Sequence, residues 1–279
     1  MPAALVNIWV DGDLQSVLPL PDRGLDYGDG LFETLLVHTG TPAYLPLHLQ
    51  RMSLGLKALG FPPCLPLIEQ HISTALKAST GLGTAVMRVT VSRGEGERGY
   101  APPHNCSPRI IISLTPHPEL DFRSPGQPAH LIQADLRFGH QPTLAGIKHL
   151  NRLEQVLASH QRRQAGADEA VMLDQAGWVI SVCAGNIFLV VDQKLLTPAL
   201  VHCGVRGTRR RLVLESLAPQ LGIEGCEADI SVEQLRAASE VFYCNSVQGM
   251  RPVSRFESVT WNDHPVCEKL HRLYVAGIG

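Results

Sequence analysis

The chain opens on stretches in which apolar and polar positions alternate, each closed by a turn signal. "NIWVDGDL" (7–14) predicts a hairpin turning on Asp-Gly, and "LFETLLVHTGTPAYL" (31–45) predicts a second one turning at Thr39 to Pro42. The period then lengthens. In "LPLHLQRMSLGLKALG" (45–60) leucines recur at helical spacing as far as Gly60, and the prolines beyond it stop the helix. A second helix near 65–79 precedes two more strands, "TAVMRVTVSR" and "PRIIISLTP". No period holds through "TPHPELDFRSPGQ" (115–127), whose proline and charge content mark an interdomain connection. Beyond it the pattern predicts a strand near 129–137, a helix from about His149 to Gln164, and strands at "EAVMLD" and "NIFLVV". A helix from about Thr208 to Leu217 and a closing helix near 263–275 complete the chain. The fold class is α+β with much antiparallel strand, in a first domain over 1–115, a connection over 116–128 and a second domain over 129–279. There is no internal repeat and no low-complexity tract.

Composition narrows the partners. The 279 residues carry a formal charge of −2, which gives no footprint for nucleic acid. "RIIISL" and "NIFLVV" are far shorter than the roughly 20 apolar residues of a bilayer span. The start "MPAALVNIWVDGDL" lacks the basic region of a signal peptide, so a cytoplasmic location is expected. Seven cysteines without a C-x-x-C pair indicate neither a disulfide framework nor a zinc site. His202 with Cys203 and His104 with Cys106 have no second ligand pair at the usual spacing, and no metal is expected.

Five lysines stand against nineteen arginines, and one of the five, Lys148 in "TLAGIKHLNRLEQV", follows a loop of small and apolar residues. In that position a lysine is either an exposed charge near a helix end or a desolvated amine, and a desolvated amine serves as imine-forming nucleophile or proton carrier. "CGVRGTRRRLVLE" (203–215) has the features of an anion cup: Gly204 and Gly207 permit close approach, and the amides of Thr208 and Arg209 fall in the first turn of a helix. The same residues also describe an ordinary loop with an exposed basic face. Arg51 shares a helical face with His48 by its i, i+3 spacing and is a second anion ligand or a surface residue. In "YCNSVQGMRPV", Asn245 and Ser246 end a strand and either bind a ligand or close a turn. "DRGLDYGDGLFET" lacks both G-x-G-x-x-G and a Walker lysine, which excludes a nucleotide loop. "SRGEGERGYAPP" is a flexible loop or a lid whose Arg98 and Tyr100 meet a carboxylated substrate.

Taken in order, "DRGLDYGDGLFET", "HLQRM", "SRGEGERGY", "LAGIKHLNRLEQVLA", "DEAVMLDQAGWV", "AGNIF", "GVRGTRR" and "CNSVQGMRPV" span nearly the whole chain. This set resembles the fold-type IV pyridoxal-phosphate enzymes, which include branched-chain and D-amino-acid aminotransferases and the 4-amino-4-deoxychorismate lyases. "AGIKHLNRLEQ" with "RGY" is most similar to the lyases. The resemblance implies a smaller N-terminal α/β domain, a larger C-terminal domain with a barrel-like sheet, the cofactor between them, and a homodimer. It places Lys148 as the Schiff-base lysine and general base, Arg51 at the phosphate, Thr208 and Arg209 in the amide cup, and Ser246 near the phosphate. It leaves Arg98, Tyr100 and Asn245 as candidates for substrate. The implied reaction converts 4-amino-4-deoxychorismate to 4-aminobenzoate and pyruvate, with an aminotransferase on the same scaffold as the alternative.

One position departs from the family. Where its members carry a glutamate against the pyridine nitrogen, "GWVISVCAGNIF" has Ser181. A carboxylate there favours the protonated ring, the stronger electron sink, and a hydroxyl does not. Ser181 therefore predicts weakened transamination and tolerated elimination, or, at the extreme, a non-catalytic cofactor-binding scaffold.

Overall fold

The Asp-Gly hairpin is the first element of the computed structural model, which describes residues 6–15, 17–79 and 81–278. Strands β1 (Asn7–Val10) and β2 (Asp13–Leu14) join through Asp11 and Gly12, both at positive φ, as a tight two-residue turn requires. A short helix that the pattern did not predict follows, α1 (Arg23–Tyr27), capped by the Asp22 carboxylate, which accepts from the Gly24 and Leu25 amides. Next come β3 (Gly30–His38), β4 (Thr41–Pro42), α2 (Leu45–Ala58), α3 (Leu65–Ala78), β5 (Thr84–Ser92) and β6 (Arg109–Pro116). The strands form one antiparallel sheet in the order β2-β1-β6-β5-β3-β4. Leu35 and Val89 of the sheet meet Met52, Ile68 and Ile72 of the two helices around one small void. Gly55 lets α2 lie close to β3, since a Cβ there would come within 2.8 Å of Leu31.

This first unit spans Met1–Leu120 and takes in a later segment, Ile147–Asn151. That segment is extended: the Phe32 amide donates to the Lys148 carbonyl (3.0 Å), the Leu150 amide to the Gly30 carbonyl (3.0 Å), and Leu31 bridges to His149. The helix expected from His149 consequently starts only at Leu153. The helical pattern of 149–152 is overridden because β3 already holds the backbone of 148–150, and Asn151 donates to the Gly28 carbonyl (3.2 Å).

The second unit comprises Asp121–Gly146 and Arg152–Gly279. The division differs from a single cut over 116–128, because the lysine segment makes its contacts with the first unit and Asp121 onward with the second. Phe122 is buried and its carbonyl accepts from His271 Nε2 (3.1 Å), while the Gln127 carbonyl accepts from Arg251 (2.7 Å).

Its elements are β7 (Ala129–Phe138), α4 (Leu153–Gln164), β8 (Glu169–Asp174), β9 (Val179–Val182), β10 (Asn186–Val191) and β11 (Lys194–Pro198). A helical run follows as α5 (Thr208–Leu212), a π-helical turn (Val213–Leu217) and α6 (Ala218–Gln220). The chain ends with β12 (Gly225–Ala228), α7 (Val232–Ala237), β13 (Glu240–Asn245), β14 (Gly249–Phe256), β15 (Val259–Thr260) and α8 (Pro265–Ala276). The sheet runs β12-β11-β10-β13-β14-β7-β8-β9, with β15 beside β14. β7 and β8 are parallel, so their connection must cross over, and α4 is the helix of that crossover. A bridge from Val182 to Gly185 brings the β9 end back to β10, curling the sheet into a half-barrel. β8 is buried along its whole length. Val171 and Leu173 pack with Leu131, Val241 and Phe256 on one side, and Ala170 and Met172 with Phe138, Ala158 and Leu200 on the other.

Candidate active site

In the first unit, the period of two along β3 turns Phe32 and Glu33 to opposite faces. Lys148 approaches from the Phe32 side, with Nζ 4.2 Å from the ring centroid. The guanidinium of Arg88, on the neighbouring strand β5, lies 4.0 Å from the same centroid. Two cations share one aromatic ring, whose π face attracts both. Lys148 is half-buried, and the bonds from the Phe32 and Leu150 amides fix its backbone on a strand rather than on a helix.

Glu33 faces α2 and binds both residues that share its helical face. Arg51 grips the carboxylate at two points, Nε to Oε1 (2.7 Å) and Nη2 to Oε2 (2.5 Å), and His48 Nδ1 lies 2.6 Å from Oε2. Glu33 and His48 are buried, and the Arg51 side chain is 11% exposed. Burial alone raises the Glu33 pKa; the Arg51 charge and the hydrogen bonds from His48 and Arg51 outweigh it and hold the carboxyl at about 2. The Arg51 guanidinium is therefore held in one plane by a buried carboxylate.

Arg98 and Tyr100 lie on a loop pinned from below. Buried Arg23 donates to the Gly99 and Tyr100 carbonyls (both 2.9 Å), and the Tyr27 ring meets the Tyr100 ring edge-on at 5.5 Å. Tyr100 nevertheless remains 87% exposed.

In the second unit the glycine-rich loop leads into α5. Its first intrahelical bond runs from the Arg211 amide to the Gly207 carbonyl, so the amides ahead of it, those of Thr208 and Arg209 included, face outward from the helix end. The Arg209 side chain turns the other way. It is 1% exposed, lies over the Tyr274 ring at 5.4 Å and donates to the Ser246 carbonyl (3.3 Å), so its contribution to a cup is its backbone. Ser246 is thereby brought to α5. Asn245 closes the β13–β14 turn, its Oδ1 accepting from the Val247 (3.0 Å) and Gln248 (2.8 Å) amides, the second of the two roles its sequence allowed.

Ser181 is buried on β9 opposite Met172. Its neighbour Ile180 packs on the glycine-rich loop, where a Cβ at Gly204 would approach within 2.8 Å. The segment 139–146 is laced to the same loop: the Gln141 amide donates to the His202 carbonyl (2.7 Å), the Gly146 amide to Gly204 (3.0 Å) and the Arg206 amide to Gly146 (3.0 Å). His140 Nε2 lies 2.9 Å from Asp174 Oδ2 and its ring stacks on His202 at 5.0 Å. Two residues beyond Gly146 the chain reaches Lys148.

The sequence reading missed Phe32, Glu33, Arg88 and Arg23. A signal existed for Arg88: a charge within the otherwise apolar "TAVMRVTV" demands an open face. Arg23 and Glu33 fall within "DRGLDYGDGLFET", but nothing local shows their contacts, because Arg23 reaches the Gly99 and Tyr100 carbonyls and Glu33 reaches His48 and Arg51.

Residues 30–256 match the family model for amino-transferase class IV, and the chain belongs to that family. It is an enzyme of this group with pyridoxal phosphate as its cofactor. The residues suit that group: an amine beside an aromatic ring, and outward amides behind a glycine with no room for a Cβ. The chain is 37% identical over 248 residues to the aminodeoxychorismate lyase of Vibrio harveyi, covering 88% of this chain and 90% of that one. A solved 4-amino-4-deoxychorismate lyase from Pseudomonas aeruginosa matches with a TM-score of 0.89 and 42% identity, covering 95% of this chain and 97% of that one. A D-alanine aminotransferase of Listeria monocytogenes is 26% identical over 285 residues, 98% of this chain and 95% of that protein.

Proposed function

We propose that this enzyme converts 4-amino-4-deoxychorismate to 4-aminobenzoate and pyruvate, a step toward folate. The observation that carries the proposal is the likeness, at 37% and 42% identity over about nine-tenths of the chain or more, to two proteins named as lyases of this substrate. Ser181, in place of a carboxylate, supports elimination over transamination.

Pyridoxal phosphate, when bound, withdraws electrons and so acidifies the carbon that carries the substrate nitrogen. The Arg51 guanidinium, held in plane by Glu33, the outward amides of Thr208 and Arg209, and Ser246 are assigned to its phosphate. Lys148 is the general base: it takes the proton from the ring carbon bearing nitrogen and returns a proton to the departing enolpyruvate, which becomes pyruvate. Loss of that proton and that leaving group makes the ring aromatic, which supplies much of the driving force. Arg88, which meets the same Phe32 ring as the Lys148 amine, is assigned with Arg98 and Tyr100 to the substrate carboxylates. Asn245, engaged in its turn, is not.

Transamination is the second reading, favoured by the likeness to D-alanine aminotransferase. A homodimer is part of the proposal, supported by Leu153, Val156 and Leu157, which expose 76%, 58% and 56% of their surface along one face of α4. Seven unpaired cysteines support a reducing, cytoplasmic setting.

The test is incubation of the purified protein with 4-amino-4-deoxychorismate while 4-aminobenzoate and pyruvate are followed. Wild type should form both in equal amounts, and Lys148→Ala neither. Turnover by Lys148→Ala, or glutamate formation from D-alanine and 2-oxoglutarate with no 4-aminobenzoate from the first substrate, overturns the reading.

A further inference from the structure

We infer that Asn186 is the positioning residue of the phosphate cup, fixing the loop that leads into α5 so that the Thr208 and Arg209 amides are held toward the anion. The inference rests on the cup assigned above, and on a contact that only the fold creates. Asn186 opens β10, is buried, and pairs with Cys244 of β13, so its backbone is fixed inside the sheet. From there Nδ2 donates to the Val205 carbonyl (2.9 Å) in the middle of the glycine-rich loop. On its other side Val205 bridges to Gly146, flanked by the bonds from Gly146 to Gly204 and from Arg206 to Gly146. Val205 is thus clamped by a side chain on one side and a backbone ladder on the other.

The second half of the contact explains a glycine. Gly207 precedes Thr208 with φ −64° and ψ 143°, a conformation open to every residue type. Backbone freedom therefore does not require glycine there. Space does: a Cβ at 207 would lie 1.9 Å from Asn186 Oδ1, and the nearest other atom of that side chain, Cγ, would be at 3.1 Å. Asn186 and Gly207 are matched. The amide group fills the volume a side chain would take, and its N–H turns the Val205 carbonyl toward the sheet. The N–H of the same peptide, on Arg206, is already donated to the Gly146 carbonyl, so what the clamp fixes is the loop that leads into Thr208 and Arg209, whose amides are the outward ones.

The contacts that carry the inference run from Asn186 to the loop backbone at Val205 and Gly207, and none of them involves Lys148. Loss of Asn186 should lower affinity for the phosphate and leave the rest. The readout is the preference of the full-length apo protein for pyridoxal phosphate over pyridoxal, which lacks only the phosphate, from equilibrium dialysis at one pH. In Asn186→Ala, affinity for pyridoxal phosphate should fall about tenfold or more, as expected when a buried hydrogen bond to a positioning carbonyl is lost. Affinity for pyridoxal should change by less than about threefold. Gly207→Ala reaches the same contact from the other side by displacing the Asn186 amide, and should reproduce that selective loss even if Asn186→Ala does not fold. In the double variant the two losses should not add, because one contact can be broken only once. Equal weakening of both ligands, an unchanged preference, or full additivity overturns the inference, as does a wild type that does not prefer the phosphorylated form. The lyase reading fails separately, by absence of turnover in cofactor-loaded wild type with its phosphate preference intact.

Discussion

Replacing Glu33 by glutamine removes the charge at the centre of the Arg51–Glu33–His48 cluster while preserving the shape of the side chain. In the folded chain this carboxyl titrates at about 2 against an ordinary 4.5. Each tenfold change in proton affinity corresponds to about 1.4 kcal/mol, so the ionised form stabilises the fold by about 3 kcal/mol at pH 7. The folded pKa is depressed, so this stability is complete above 4.5 and is lost as pH falls toward 2. Linkage gives about 2 kcal/mol remaining at pH 3.5 and about 1 kcal/mol at pH 2.5. A buried pair stripped of one partner is destabilised by a similar amount, about 3–5 kcal/mol, whereas an exposed pair would contribute about 0–1. Urea unfolding of apo wild type and Glu33→Gln, followed by far-ultraviolet circular dichroism, should show the gap at pH 7 narrowing steadily on acidification. A gap below about 1 kcal/mol at pH 7, or one that does not change between pH 7 and 3.5, would refute the electrostatic account. If Arg51 holds the phosphate, the variant should also release pyridoxal phosphate faster than wild type.

Two further outcomes follow from the site. Ser181→Glu should raise glutamate formation from D-alanine and 2-oxoglutarate relative to 4-aminobenzoate formation; an unchanged product ratio would count against the assigned position of Ser181. Arg88→Ala should raise KM for 4-amino-4-deoxychorismate by about tenfold to a hundredfold, the range for a lost charged hydrogen bond, with pyridoxal phosphate affinity unaltered; steady-state kinetics beside a cofactor titration separate the two.

Period and punctuation determined most elements of this protein from the sequence alone. The alternation in "NIWVDGDL" and the leucine spacing before Gly60 are local signals, and β1, β2 and α2 form where those signals lie. Lys148 stood out as a candidate because small residues precede it in a chain that otherwise uses arginine, and the resemblance of eight motifs identified the family. Three things were decided only by tertiary structure. The residues after Lys148 have a helical pattern, yet they extend because β3 offers backbone partners no local window can show. Glu33 reads as a polar position on a strand, and becomes a buried, strongly acidic carboxyl only because α2 brings His48 and Arg51 against it. Gly207 has a backbone any residue could adopt, and the requirement for glycine comes from Asn186, twenty-one residues earlier. In each case the controlling partner is remote along the chain, and sequence patterns report local geometry, not the contacts that folding creates.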